Sequence, residues 1–206
     1  MKARGNFASA SPEVLPPPPS EEYRLLEPLV CENTRFSTDR THRFTLFRHW
    51  GDPARYVACI GMNPSGAAED VTDNTVSKLC VFAREHWGMG ALYMLNALSI
   101  RLTDSTKLPP LEEANHPEND LWLRRIVKRA ELVVVCWGNP GHKLGRAPVI
   151  EQILREECAI EKVRCFGLNQ TGAPIHPLYQ AYTTPLIPYF QKGPSRSSPV
   201  GVAESP

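Results

Sequence analysis

Four short segments concentrate the side chains that could do chemistry. They are Gly61-Met62-Asn63-Pro64-Ser65-Gly66, Leu95-Asn96-Ala97-Leu98-Ser99, Trp137-Gly138-Asn139-Pro140-Gly141-His142-Lys143 and Gly172-Ala173-Pro174-Ile175-His176-Pro177-Leu178-Tyr179. Glycine, proline, amide and imidazole side chains gather in these places. An amide offers one hydrogen-bond acceptor and two donors, and a neutral imidazole offers one of each. That chemistry suits holding and orienting a polar ligand. The six cysteines are scattered, with no close CxxC pair, so they do not indicate a zinc or redox centre. Cys59, Cys136 and Cys165 fall in apolar runs and Cys80 in a helical pattern, as expected of small buried residues in a reducing compartment. No metal and no cofactor is expected.

Each segment follows an element that can position it. Tyr56 to Ile60, Ala91 to Leu98, Leu132 to Cys136 and Lys162 to Leu168 are apolar runs that read as buried strands. Arg43 to Arg48 alternates in polarity and predicts a further strand, at an edge. Helical spacing covers Asn74 to Trp87, with Val76, Leu79, Cys80 and Ala83 on one face and Asp73 or Asn74 as N-cap. It recurs from Pro117 to Ala130, with Leu121, Ile126 and Val127 turned inward, and from Ala147 to Glu157. Strands apolar on both faces and separated by helices predict an α/β fold: a central four-stranded parallel sheet covered on both sides, α/β/α in three layers. In such a sheet, ligands bind beyond the carboxyl ends of the strands, where the four segments lie.

The segments also resemble a known superfamily. Gly61-Met62-Asn63-Pro64 looks like the first motif of the uracil-DNA glycosylases, whose branches carry GMNPG or GINPG. His176-Pro177 resembles their second motif, usually HPSP. Leu95-Asn96 resembles the strand-end asparagine that reads the base, and Trp137-Gly138 with Lys143 resembles the third-strand segment. The similarity covers Tyr56 to Tyr179. The whole core, with Arg48-His49-Trp50-Gly51, Asp73-Asn74-Thr75 and Arg101-Leu102-Thr103-Asp104, is also similar to a bacterial domain-of-unknown-function family numbered 1643.

The resemblance implies a glycosylase-like fold and a metal-independent hydrolase that cleaves the N-glycosidic bond of a damaged or modified base. Asn63 would hold the attacking water and His176 would stabilise the leaving base, with Asp73 or Asp70 as the nearest carboxylates. Gly61, Met62, Asn96, Phe82 and Trp137 would surround the base. Ser65, Lys143, Pro177, Leu178 and Tyr179 would meet DNA, Leu178 and Tyr179 filling the space a flipped base vacates. The second motif reads HPLY, Ser65 stands where glycine is frequent, the aspartate of the most active branch is absent, and no iron–sulfur cysteine cluster is present. Such departures keep open a free nucleotide substrate, or binding without catalysis. Plain structural roles also account for each residue singly: a turn at Asn63-Pro64, a strand-end cap at Asn96, a locally bonded loop histidine at His176, a core Trp137. Likewise Arg124, Arg125, Lys128 and Arg129 lie at helical spacing and describe either a solvated face or a phosphate contact.

Composition sets the outer bounds. The 206 residues suffice for one domain, and a formal net charge of +1 neither demands nor excludes a nucleic acid. Residues 1–31, with Pro16-Pro17-Pro18-Pro19, and residues 191–206, rich in serine and proline, bury too little apolar surface to order. The ordered domain is expected at 32–190. No signal-peptide pattern and no membrane-length apolar run is read, so a cytoplasmic protein is expected; the resemblance implies DNA or a nucleotide as partner, and a monomer is expected.

Overall fold

The computed structural model describes residues 34–65, 73–104, 107–139 and 144–190. The anticipated terminal segments, Asp70 and Lys143 lie outside these.

Seven strands form one mixed sheet: β1 (Arg35–Phe36), β2 (Arg43–His49), β3 (Tyr56–Gly61), β4 (Ala91–Asn96), β5 (Leu132–Val135), β6 (Val163–Cys165) and β7 (Ile187–Pro188). Their order is β1-β2-β4-β3-β5-β6-β7. The four strands anticipated from apolar runs are the parallel block β4-β3-β5-β6. The expectation of four strands is corrected by antiparallel additions: β2 beside β4, β1 beyond it, and β7 beside β6. Two-residue strands carry no periodicity, so β1 and β7 leave no trace in the sequence. β2 is not an edge strand either. Arg43 through Phe47 are all buried, polar members included, because β1 covers the outer side and the Thr45 hydroxyl accepts from the Arg35 N–H at 3.2 Å.

Among the described residues, four α-helices of a turn or more connect these strands: α1 (Asn74–Val81), α2 (Leu111–Ala114), α3 (Glu118–Arg129) and α4 (Arg146–Glu157). The alternating side chains of the central strands separate two apolar clusters. Ala58, Ile60, Leu95 and Val135 pack with Leu123, Ile126 and Val127 of α3 and with Ile150 and Ile153 of α4. Val57, Cys59, Met94 and Val134 pack with Val76 and Leu79 of α1 and with Phe82. Helix α1 begins where the Asp73 carboxylate accepts from the Val76 N–H at 2.8 Å. It widens after Val81 into a π-helical turn over Phe82–His86. In α3, Leu121 is 67% exposed rather than inward. The buried stripe is Asn119, Trp122, Leu123, Ile126 and Val127, the i, i+3, i+4, i+7, i+8 set of one helical face.

Burial pushes the Cys136 thiol up to about 12 and Cys80 to about 11, so both stay protonated. No helix among the described residues is long and apolar enough to cross a membrane.

Helices α3 and α4 are bolted to the sheet by one charged residue. The nearly buried Arg146 pairs with Asp120 of α3 through both terminal nitrogens, and its Nε donates to the Ala97 carbonyl at 2.8 Å. Arg146→Ala should therefore cost about 2–3 kcal/mol, measured as a lower urea midpoint. An unchanged midpoint would show that the pair contributes nothing to stability.

Candidate functional site

The carboxyl ends of the parallel strands are held together beyond the sheet itself. Gly61 and Asn96 are the last parallel partners of β3 and β4. Ala97 N–H then bonds the Gly61 carbonyl at 2.9 Å, Leu98 N–H the Met62 carbonyl at 2.8 Å and Leu102 N–H the Pro64 carbonyl at 3.0 Å. Two of the four sequence segments thus run on as a ladder. The chain leaves β3 towards α1 and leaves β5 towards α4, which packs on the other face. This divergence is the topological position where open α/β sheets take ligands.

Gly61 makes room for Asn96. A Cβ on Gly61 would stand 2.5 Å from Met94 Cε and 3.2 Å from Asn96 Oδ1. The Asn96 side chain is 1% exposed, and its Nδ2 is enclosed with no partner among the described residues. A buried donor without an acceptor is costly, and binding sites are where such groups persist.

Asn63 is fixed differently. Its Nδ2 donates to the Leu102 carbonyl at 2.7 Å and to the Pro64 carbonyl at 3.0 Å. Two carbonyl acceptors define which end of the amide is nitrogen, leaving Oδ1 as the acceptor directed away from them.

His176 caps the turn Pro177–Tyr179, its Nδ1 accepting from the Leu178 N–H at 3.3 Å. The neutral ring then carries its proton on Nε2. Burial lowers the His176 pKa from its usual 6.5, against the opposing pull of the Asp73 carboxylate, so the neutral form is favoured. The loop before it is anchored on two sides, Gly138 N–H bonding the Pro174 carbonyl at 3.0 Å and Ile175 N–H the Gly167 carbonyl at 2.9 Å. Lys78 of α1 donates to the Leu178 carbonyl at 2.7 Å.

The other residues singled out from sequence are dispersed. Met62 packs on the α3/α4 cluster, as does the 1% exposed Trp137, which meets Tyr189 edge-on at 5.8 Å. Phe82 is fully buried, between Trp87, Phe166 and Tyr182. Ser65 and Leu178 are half-buried, Pro177 is buried, and Tyr179 stands 86% exposed at the tip of its turn. Asp73 is near enough to His176 to be felt by it, and is engaged as the cap of α1.

Two groups that sequence reasoning missed belong to the same rim. Asn119 donates to the Asn96 carbonyl at 3.1 Å and to the Asn115 side chain at 2.8 Å, fixing the backbone that carries the base-reading candidate. Its signal was a polar residue on the apolar stripe of α3. Arg43 opens β2, is 3% exposed, and bonds the Ser99 carbonyl through its backbone N–H at 2.9 Å. The alternation of β2 hid it, since the polar members of such a strand are expected to face solvent.

A family model described as Protein of unknown function (DUF1643) matches residues 43–178. No curated protein and no solved structure matches the chain.

Two measurements check this geometry. Gly61→Ala should push the Met94 methyl aside, crowd Asn96 Oδ1 and cost about 1–3 kcal/mol through overpacking; unmoved Met94 methyl and Asn96 side-chain amide resonances would refute the close approach. For His176 the folded value lies below the unfolded 6.5, so the unfolded chain takes its proton first as pH falls. The associated stability is intact above that value and is lost as pH drops through it. From about pH 7.5 to about pH 5.5 the wild-type urea midpoint should fall more than that of His176→Gln, which lacks the titration but shares that of His42. Parallel slopes would contradict a neutral buried ring.

Proposed function

The chain belongs to the DUF1643 family, and from the motif resemblance at Asn63, Asn96 and His176 we propose that it is a glycosylase-like hydrolase of an N-glycosidic bond, with the three-layer α/β/α arrangement and motif roles of the uracil-DNA glycosylase superfamily. The observation that carries this reading is the state of three side chains at one end of the sheet. Asn96 Nδ2 is an enclosed donor awaiting an acceptor. His176 has its Nδ1 occupied and so presents Nε2–H. Asn63 has its nitrogen occupied and so presents Oδ1. Two donors and one acceptor are what the reaction needs.

In the proposed reaction, water oxygen bonds to the anomeric carbon as the carbon–nitrogen bond to the base breaks. The bonding electron pair leaves with the base, and the water proton passes to solvent. Positive charge develops on the sugar and negative charge on the base. Asn96 Nδ2 and His176 Nε2–H donate to the polar edge of the departing base, and donors already in place stabilise such charge without reorganising. Asn63 Oδ1 accepts from the attacking water and aligns it. An amide is not a base, so its contribution is positional. DNA carrying the target base extrahelically is the proposed substrate, with Tyr179 at the vacated position.

Asp73 favours a second reading. The carboxylate that His176 feels already commits Oδ1 to the cap of α1. That arrangement suits a module that binds a nucleic acid or nucleotide without hydrolysing it, or an enzyme of less demanding free nucleotides.

A panel of oligonucleotides carrying uracil, deaminated, oxidised and hypermodified bases, followed by alkali, tests these readings. Strand breaks should appear for at least one base and fall about 100-fold or more in Asn63→Ala and His176→Ala. Tight binding with no breaks would support the binding module instead, and base release from mononucleotides alone would support the nucleotide enzyme.

A further inference from the structure

Arg43 has no role in the chemistry above, and the described residues around it do not account for its charge. It is 3% exposed, its Nε is enclosed without a partner, and its guanidinium makes no hydrogen bond or ion pair with any described residue. Arginines this buried are ordinarily matched to a carboxylate, as Arg146 is to Asp120. Desolvation lowers the Arg43 pKa to about 10, with the Asp73 carboxylate opposing the shift and Arg101 and Arg48 adding repulsion. Its place is at the rim. The Arg43 N–H bonds the Ser99 carbonyl, three residues beyond Asn96. Asp73, at the start of α1, is felt by Arg43 on one side and His176 on the other.

We propose that Arg43 is the anion subsite of this rim, taking the phosphate attached to the sugar whose base Asn96 and His176 would hold. The chemistry is that of a planar guanidinium, which binds phosphate through paired N–H donors and keeps its charge when desolvated. This deepens the base-binding reading and rests on it for the identity of the sugar, but not for the anion. The ligand is accordingly a nucleotide unit, whether free or within a strand, rather than a bare nucleoside.

The test uses the full chain and a ligand with no base. 2-Deoxyribose 5-phosphate is titrated by calorimetry against wild type, Arg43→Gln, Arg43→Lys and the exposed charge control Lys162→Gln, with neutral 2-deoxyribose as the matched probe. Wild type and Lys162→Gln should bind the sugar phosphate alike. Arg43→Gln should bind about tenfold more weakly or worse, and Arg43→Lys should recover part of the loss. Neutral 2-deoxyribose should not distinguish the proteins. Removing an unmatched buried charge should also raise the Tm of Arg43→Gln, which separates lost binding from lost folding. Equal affinity of wild type and Arg43→Gln, or no wild-type binding of the sugar phosphate, would overturn the subsite. A lowered Tm in Arg43→Gln together with weaker binding would also overturn it, by making Arg43 structural. If sugar phosphate binds through Arg43 while no base is released or bound, the subsite stands and the base reading fails.

A single strand with phosphate 5′ to an abasic sugar distinguishes the source. Tighter Arg43-dependent binding of that strand than of the monomer assigns the anion to a nucleic-acid backbone, and equal binding assigns it to a free nucleotide.

Discussion

The pairing of β3 with β4 is the constraint on which the rest depends. It runs in register from Tyr56 opposite Ala91 to Gly61 opposite Asn96, and backbone bonds prolong it to Pro64 and Leu102. Loops normally surrender position to solvent and entropy. Here the loop ladder takes up backbone groups that would otherwise need water, and it sets Asn63 and Asn96 at a fixed separation. Gly61 leaves the room for it, since a Cβ there would collide with the Met94 methyl and press on Asn96 Oδ1.

The second half of the site is assembled by tethers rather than by a ladder. The segment before His176 hangs from Gly138 and Gly167, and the turn after it hangs from Lys78. Helix α1 therefore has two functions. Its apolar face covers the sheet through Val76 and Leu79, and its polar residues Asp73 and Lys78 adjust the charge and position of the histidine turn. Burial, rather than a neighbouring cation, sets the protonation of His176. This is a direct way to obtain an imidazole that donates from Nε2 at neutral pH.

Much of this was legible in the sequence, for identifiable reasons. The parallel block was readable because Tyr56 to Ile60 and Leu132 to Val135 are buried on both faces, so their apolar runs are unbroken. Asp73 was readable as a cap because an acid directly before a helical pattern can accept from the free N–H groups of the first turn. Strands β1 and β7 were not, since two residues hold no period. Leu121 was misplaced because apolar character alone does not fix the helical phase; Trp122 and Leu123 do. In the site, motif order pointed to Asn63, Asn96 and His176. Met62, Phe82 and Trp137 were less accessible, because an aromatic beside a strand end can face the ligand or the core, and only the packing of α1 and of Tyr189 decides between them. Arg43 was invisible for the opposite reason: its importance lies in being buried, which a charged side chain does not announce. Asn119 shows as a polar member of the stripe only once Trp122 and Leu123 fix the phase of α3.

Strand geometry has a last consequence. Side chains along β3 alternate between faces, so a slip of one residue against β4 would bring Met62 opposite Asn96 and send Gly61 to the α3/α4 side. The thioether would then occupy the space that the glycine leaves open. The hydrophobic partition that sets the register, Ala58 and Ile60 to one cluster and Val57 and Cys59 to the other, is thus also the specification of the site. A partly assembled sheet has no weakened version of it, so the site and native packing should be acquired in the same cooperative step.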